Sequence, residues 1–456
     1  MKYKKDDIIK VLISDIGNEG EGIGKVDGYP FFIKDALIGD EVSAKVMKAK
    51  KNYAYAKLLS VDKPSVFRVE KKCNVAVSCG GCQIQEMNYE EQLRFKENKV
   101  KNNLVRLGGF KREYIDSIFE GIQGMDSPWR YRNKAQYPVG LDKEGKIVVG
   151  FYAGRTHSII EQTDCKLAPE EYKEIIDIII DYMLEHAIKP YDEKDSSGIL
   201  RHILIKKGFA TGEIMVVLVV NSPVLDKRWD KLPEKLLKVN GIVSIQLNEN
   251  QENTNVILGE KCRVIFGKDH LEDILGGLRF NISPLSFYQV NPVQTEKLYK
   301  RAINFADLNG EEEVWDVCCG IGTITLNLAK YAKKVHGIEI VPQAIEDAKK
   351  NAEKNHIENA EFICAAAEDF LPANKDRIRA DVIVTDPPRK GMDAAAISAI
   401  LSVNPEKIVY VSCDSATLAR DLKLLYEGGY ELKRVGCTDL FPHSVHCETV
   451  CLCEKS

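Results

Sequence analysis

From Ile8 to about Ser60, apolar and polar positions alternate in short runs. Ile8–Ser14 breaks at the glycine-rich stretch Gly17–Gly24, Asp27-Gly28 forms a hairpin turn between Ile23–Val26 and Phe31–Ile33, and Val42, Ala44 and Val46 alternate with Ser43, Lys45 and Met47. This pattern predicts a small β-barrel, of the OB type that binds nucleic acid, over residues 1–62. The period then changes. Residues 88–107 carry apolar Leu93, Val100, Leu104 and Leu107 at helical spacing, closed by Gly108-Gly109, and Pro169–Ala187 reads as a second helix. Arg201–Lys207 and Glu213–Val220 read as a hairpin. Residues 63–280 are therefore a mixed α+β segment, whose helix 88–107 is free to pack on the domain that follows. Over 281–456 strands alternate with helices: Val314–Asp316, Lys334–Ile338, Ala360–Ile363, Asp381–Thr385 and Ile408–Val411, followed by Glu431–Val435 and Thr449–Cys453. The expected fold is a multi-domain α/β protein whose last third is an open, wound sheet.

Composition narrows the function classes. The 456 residues are 44% hydrophobic and 29% charged, as in an ordinary globular protein, with no run of eighteen apolar residues. The N-terminal Met1–Asp7 lacks an apolar signal core, so a cytoplasmic protein is expected. No obligate protein partner is suggested, and a monomer is expected. The net charge of −4 requires any nucleic-acid surface to be local. Two stretches interleave cations with aromatics: Lys45, Lys48, Lys50 and Lys51 before Tyr53 and Tyr55, and Trp129-Arg130-Tyr131-Arg132-Asn133-Lys134. Arg130, Arg132 and Lys134 are the candidate phosphate contacts of the second.

Thirteen cysteines, an odd number thinly spread, favour metal binding or catalysis over a disulfide framework. Cys73 and Cys79-Gly-Gly-Cys82 supply three thiols, and Cys165 is the only further one before Cys262. Thiolates suit zinc or an iron–sulfur cluster, which the residues alone do not separate. The spacing of His443, His446 and Cys447 is poor for zinc. Cys413 lies just past the apolar strand Ile408–Val411, where open α/β sheets keep their chemistry, and is a candidate nucleophile. Asp316 ends another strand, and Cys318-Cys-Gly320-Ile-Gly322 forms a tight loop into a helix. Glu339 ends the next strand, at a position suited to ribose hydroxyls. The loop lacks the full dinucleotide pattern, so a nucleoside cofactor without pyrophosphate, such as S-adenosylmethionine, is expected. Asp386-Pro-Pro-Arg389 is similar to the motif of amine methyltransferases but has Arg389 where they carry an aromatic.

Taken in order, Ser283-Pro-Leu-Ser-Phe287-Tyr-Gln289-Val-Asn291, Asp316–Gly322, Asp386–Arg389, Val411-Ser-Cys413-Asp through Asp421, and His446-Cys-Glu448-Thr-Val450 resemble the RNA uracil-C5 methyltransferases. The resemblance runs the full length and is closest to the 23S ribosomal RNA type, with an N-terminal TRAM domain and a 4Fe–4S cluster. It implies a Rossmann-like class I methyltransferase domain at 281–456 and RNA, ribosomal above all, as substrate. It implies Cys413 as nucleophile, Glu448 as base and Phe287 beside the flipped-out base. Gln289, Glu339 and Asp386, with the loop at Cys318, are implied S-adenosylmethionine or site contacts. Cys73, Cys79, Cys82 and Cys165 are implied cluster ligands. Asp414, Ser415 and Thr323 stand where relatives often carry Asn, Pro and Asn. The alternatives are the same chemistry on tRNA, or a non-catalytic iron–sulfur RNA-binding protein.

The chemistry accounts for this residue set. Uracil C5 is a poor nucleophile until a thiolate adds at C6, and a base must then remove the C5 proton before the thiolate leaves. Such a site is expected to favour the thiolate over the thiol.

Overall fold

The computed structural model describes residues 2–154 and 156–456. Strands Ile8–Ile16, Gly22–Val26, Tyr29–Lys34, Ala54–Lys63 and Glu41–Ala49 close into a barrel in that order. Alternation fills its interior with Ile9, Val11, Ile13, Phe31, Ile33, Val42, Ala44 and Val46. Gly24 is required there, since a Cβ would stand 2.5 Å from Val11 Cγ2. The outer face carries an aromatic group, Phe32, Tyr53 and Tyr55, with ring centroids 5.5–5.7 Å apart.

The central unit is a seven-stranded sheet ordered Lys261–Gly267, Ile242–Glu249, Ile214–Val220, Leu200–Lys207, Lys134–Leu141, Ile147–Tyr152 and Ile159–Glu161. The expected hairpin is its antiparallel centre, with Ile203 opposite Leu218. Helix Glu171–Glu185 covers one face with Tyr172, Ile175, Ile176, Ile179 and Met183.

The C-terminal sheet has eight strands, ordered Ala360–Cys364, Lys334–Glu339, Glu313–Val317, Val382–Thr385, Lys407–Ser412, Glu448–Lys455, Tyr430–Thr438 and Phe119–Gln123. The first five run parallel, and Glu448–Lys455 runs antiparallel to both of its neighbours. This is a Rossmann-like, doubly wound sheet. Its edge strand departs from the expected boundary: Phe119–Gln123, assigned by the sequence to the central segment, pairs parallel with Tyr430–Thr438. A run of Phe-Glu-Gly-Ile-Gln has too little alternation to announce its partner.

Helix Tyr89–Arg106, capped by Asn88 Oδ1 accepting from Glu91 N, packs against helix Ser415–Glu427, with Asn103 Nδ2 donating to Ser415 Oγ at 2.8 Å. Its buried face keeps Val100 and Leu104 of the expected stripe, with Leu93 half-buried, but differs at its end and in its polar members. Leu107 is exposed, while Gln92, Lys96 and Asn103 are buried beside Phe95, Val100 and Leu104. Among the described residues no helix is long and apolar enough to cross a membrane.

Candidate active site

Strand Glu313–Val317 is the point where the winding reverses, because the next strand in sequence lies on one side of it and Val382–Thr385 on the other. Ligands of such sheets enter the crevice at the strands' C-terminal ends. Asp316 is buried there, accepts from Thr325 Oγ1 through Oδ2, and leaves Oδ1 without a partner. Burial pushes its carboxyl up to about 7. Glu339 accepts from Gly320 N at 3.2 Å and from Ile340 N and Val341 N at 2.8 and 3.0 Å. Oε1 takes two of these and Oε2 one, and a carboxylate oxygen has two lone pairs, so Oε2 keeps capacity for a hydroxyl. A Cβ at Gly320 would meet nothing within 4 Å, which leaves open space above the loop. Gly322 instead packs under the Phe362 ring, and Cys318 is exposed at φ 71°. An unpartnered buried carboxyl oxygen, an open glycine loop and an amide-anchored carboxylate fit a nucleoside cofactor.

Cys413 follows strand Lys407–Ser412 and is half-buried. Asp414 turns the chain by accepting from Ala416 N and Thr417 N at the start of helix Ser415–Glu427. Ser412 pairs with Thr449 across the antiparallel ladder, so the next step of the register sets Cys413 opposite Glu448. Glu448 is 2% exposed, its Oε2 has no partner among the described residues, and burial followed by Asp386 holds its carboxyl well above the usual range. Cys413 departs from expectation. Burial first, then Glu448 and Asp386, push its thiol up to about 12, against Arg389, which favours the thiolate.

The loop Ser283–Asn291 closes the crevice. Gln289 Nε2 donates to Asp386 Oδ2 at 3.3 Å, while Phe287 projects outward, 66% exposed. Burial and the charge of Asp316 push Asp386 up to about 7. Tyr299, absent from the sequence reading, is buried within electrostatic reach of Asp386, Asp316 and Glu448, with its hydroxyl 2.8 Å from Thr323 Oγ1. Its only sequence signal is a place on the apolar face of helix Pro292–Ala306.

The four cysteines are all half-buried, and Cys79, Cys82 and Cys165 each feel Cys73 electrostatically. Among the described residues no three Cys, His, Asp or Glu stand as a set for a metal ion. His443 is no zinc ligand either, since its ring nitrogens meet Gln92 and the Pro128 carbonyl. The basic stretch is not a free surface. Arg130 donates to the Cys165 and Ala168 carbonyls and pairs with Asp164 at 2.8 Å. Trp129 stacks on His443 at 3.7 Å, under Lys72. Arg132 Nε is buried with no partner among the described residues, and its charge acts on Cys79, Cys82 and Cys165. Burial, followed by Arg132, lowers the Lys134 pKa.

The family model described as tRNA (Uracil-5-)-methyltransferase matches residues 88–456. The chain belongs to this family. A TRAM domain model matches residues 5–59 of this uracil-5-methyltransferase. Proteins named uncharacterized RNA methyltransferases are similar over nearly the whole chain: one from Clostridium tetani is 46% identical, covering 98% of this chain and 96% of its own, and one from Listeria innocua is 44% identical, covering 98% and 97%. The crystal structure of the Pyrococcus abyssi tRNA (uracil-54, C5)-methyltransferase in complex with S-adenosyl-L-homocysteine is 26% identical with a TM-score of 0.78, covering 98% of this chain and 100% of that one. The methyltransferase family model begins at residue 88, so it takes in the helix and edge strand found on the C-terminal sheet. The uracil-5-methyltransferase is an S-adenosylmethionine-dependent enzyme acting on RNA.

Proposed function

We propose that this enzyme methylates uracil C5 through a covalent adduct between Cys413 and C6, with Glu448 as the base. The observation that carries the reading is the register-facing pair, a thiol at a strand end and a buried carboxyl with an unpartnered oxygen. The Cys413 thiol first gives up its proton to solvent; Sγ then adds as the thiolate to C6, and the C5–C6 π electrons shift onto C5 and O4. S-adenosylmethionine, when bound, supplies the methyl group that C5 takes. Glu448 then accepts the C5 proton, the C5–C6 double bond re-forms, and Sγ leaves. A carboxyl pushed above its usual range is a stronger base toward that carbon acid than an ordinary one. Phe287 offers an exposed ring against the flipped base.

Cys73, Cys79, Cys82 and Cys165 are the proposed 4Fe–4S ligands. What supports this is the all-thiol donor set and the unpartnered Arg132 Nε beside it, a donor and a cation suited to a cluster of thiolate and sulfide. The cluster would serve as a cross-link, tying Cys165 and the turn after it, to which Arg130 N and Arg132 N donate, to the segment Cys73–Cys82.

Ribosomal RNA is the proposed substrate, on the resemblance of the full motif set. Transfer RNA is the second reading, favoured by the likeness to the Pyrococcus abyssi enzyme. Mapping 5-methyluridine in both RNAs from cells with and without the gene tests the two. Loss of a ribosomal site supports the first, loss of a tRNA site alone overturns it in favour of the second, and loss of neither rejects both.

A further inference from the structure

Lys206 lies in the central sheet, on strand Leu200–Lys207, outside the C-terminal sheet that carries Cys413 and Glu448. It is 5% exposed, and no carboxylate pairs with it among the described residues. Its register neighbour is another cation, Lys134. Burial, followed by Lys134, lowers its pKa to about 7, with Asp347 and Cys262 acting the other way. A buried lysine beside a second lysine is an unfavourable arrangement on its own. What it does is donate to two main-chain carbonyls, Ser283 O at 2.8 Å and Ser286 O at 2.9 Å.

Those carbonyls bracket the turn that immediately precedes Phe287. The same turn is held from the other side, where Ser286 Oγ donates to Asp347 Oδ2 at 2.9 Å. Beyond Phe287 the central domain grips the chain again. Asn133 Nδ2 donates to Gln289 O, and Asn133 N to Val290 O, each at 2.9 Å. Between them Tyr288 is buried, with its hydroxyl 3.2 Å from Asp273 Oδ2. The residues flanking Phe287 are thus held by hydrogen bonds, while its own ring, like the Leu285 side chain within the turn, is exposed.

We propose that Lys206 and Asn133 are positioning residues, contributed by the central sheet, that fix the Phe287-bearing turn against the target base. This rests on the reading of Phe287 as a base contact given above. Neither residue touches the reacting atoms; both act through main-chain atoms next to the residue that does. A shift of that turn by about an ångström is expected to lower turnover by roughly ten- to a hundredfold.

The test is a double-variant cycle on the full-length enzyme, with Lys206→Met, Phe287→Ala and the two combined. For each, kcat/KM is measured against an RNA substrate, and S-adenosylhomocysteine binding by calorimetry. Thermal unfolding identifies variants that fold, and Asn133→Ser replaces Lys206→Met should the latter not fold. The expected result is a fall of at least about tenfold in kcat/KM for RNA with Lys206→Met, unchanged S-adenosylhomocysteine affinity, and no further loss when Phe287→Ala is already present. A second readout is the 19F resonance of a fluorinated phenylalanine at position 287, which should broaden or shift with Lys206→Met. Losses that multiply in the double variant, with an unmoved resonance, overturn the proposal and leave Phe287 as a base contact. An active Phe287→Ala enzyme overturns that contact and the proposal with it.

Discussion

Lys96 and Asp439 form an ion pair that neither side chain shares with solvent, with Nζ 2.6 Å from Oδ1. Lys96 also donates to Phe441 O at 2.9 Å, and Tyr89 OH donates to Asp439 Oδ2 at 2.9 Å. Gln92 Oε1 accepts from His443 N one turn away. Helix Tyr89–Arg106 therefore grips the loop that runs from Thr438 to Glu448. Tyr131 OH and Ile84 N reach the same loop at Pro442 O and His443 O. The N-terminal half of the chain thus helps hold the proposed base.

Removing one partner of a buried pair strands the other's charge. Lys96→Met should destabilise the protein by about 3–5 kcal/mol in denaturant unfolding. Adding Asp439→Asn should restore part of that loss, because the stranded charge is removed while an acceptor for Tyr89 remains. A double variant less stable than Lys96→Met would count against the pair as the cause.

Cys413 and Glu448 should stop the reaction at different points. Cys413→Ala should give neither methyl transfer nor a covalent complex, whereas Glu448→Gln should transfer one methyl and stall as an enzyme–RNA adduct. RNA bearing 5-fluorouracil should trap the unaltered enzyme, since fluorine does not leave as a proton does. The readout is a denaturant-resistant, slower-migrating band on a gel. Its appearance with Cys413→Ala, or rapid turnover by Glu448→Gln, would show that the roles are misassigned.

Asp316 should make the ligand-free enzyme less stable as pH rises. Its folded pKa, about 7, lies above the ordinary aspartate value, so the folded state holds a proton that the unfolded state has released. The contribution is complete below the unfolded pKa of about 4 and is lost as pH rises to the folded one. Asp316→Asn carries no titrating group, so its unfolding free energy should fall less across that window. Parallel profiles for the two proteins would contradict the assignment.

Iron tests the cysteine set. Anaerobically purified protein should be brown and carry about four irons per chain, by the stoichiometry of a 4Fe–4S cluster. Cys79→Ser should lower the iron content and bleach the visible absorption. Stoichiometric zinc without iron would replace the cluster reading.

The sequence by itself determined the strand ends of the C-terminal sheet. Asp316, Glu339, Asp386 and Cys413 each fall at or just after a short apolar run, and winding brings such positions to one edge whatever the connections do. The barrel was equally legible, because its period of two is written locally in Val42, Ala44 and Val46. Tertiary structure alone decided what faces what. Glu448 comes within electrostatic reach of Cys413 because the strands bearing them pair at Ser412 and Thr449, and Phe119–Gln123 crosses to a sheet built by residues far along the chain. Charged residues were the least legible. The sequence reads Arg130, Arg132 and Lys134 as phosphate contacts and singles out neither Lys96 nor Lys206, because a cation is a poor core residue without a partner and the partner is not written beside it. Arg130 donates to the Cys165 carbonyl, Arg132 acts on a group of thiols, Lys96 pairs with Asp439 at a separation of 343 residues, and Lys206 donates to the turn before Phe287. Periodicity reports which face of an element is covered; the electrostatics of a buried charge depend on the residue that covers it, and that residue is chosen by the fold.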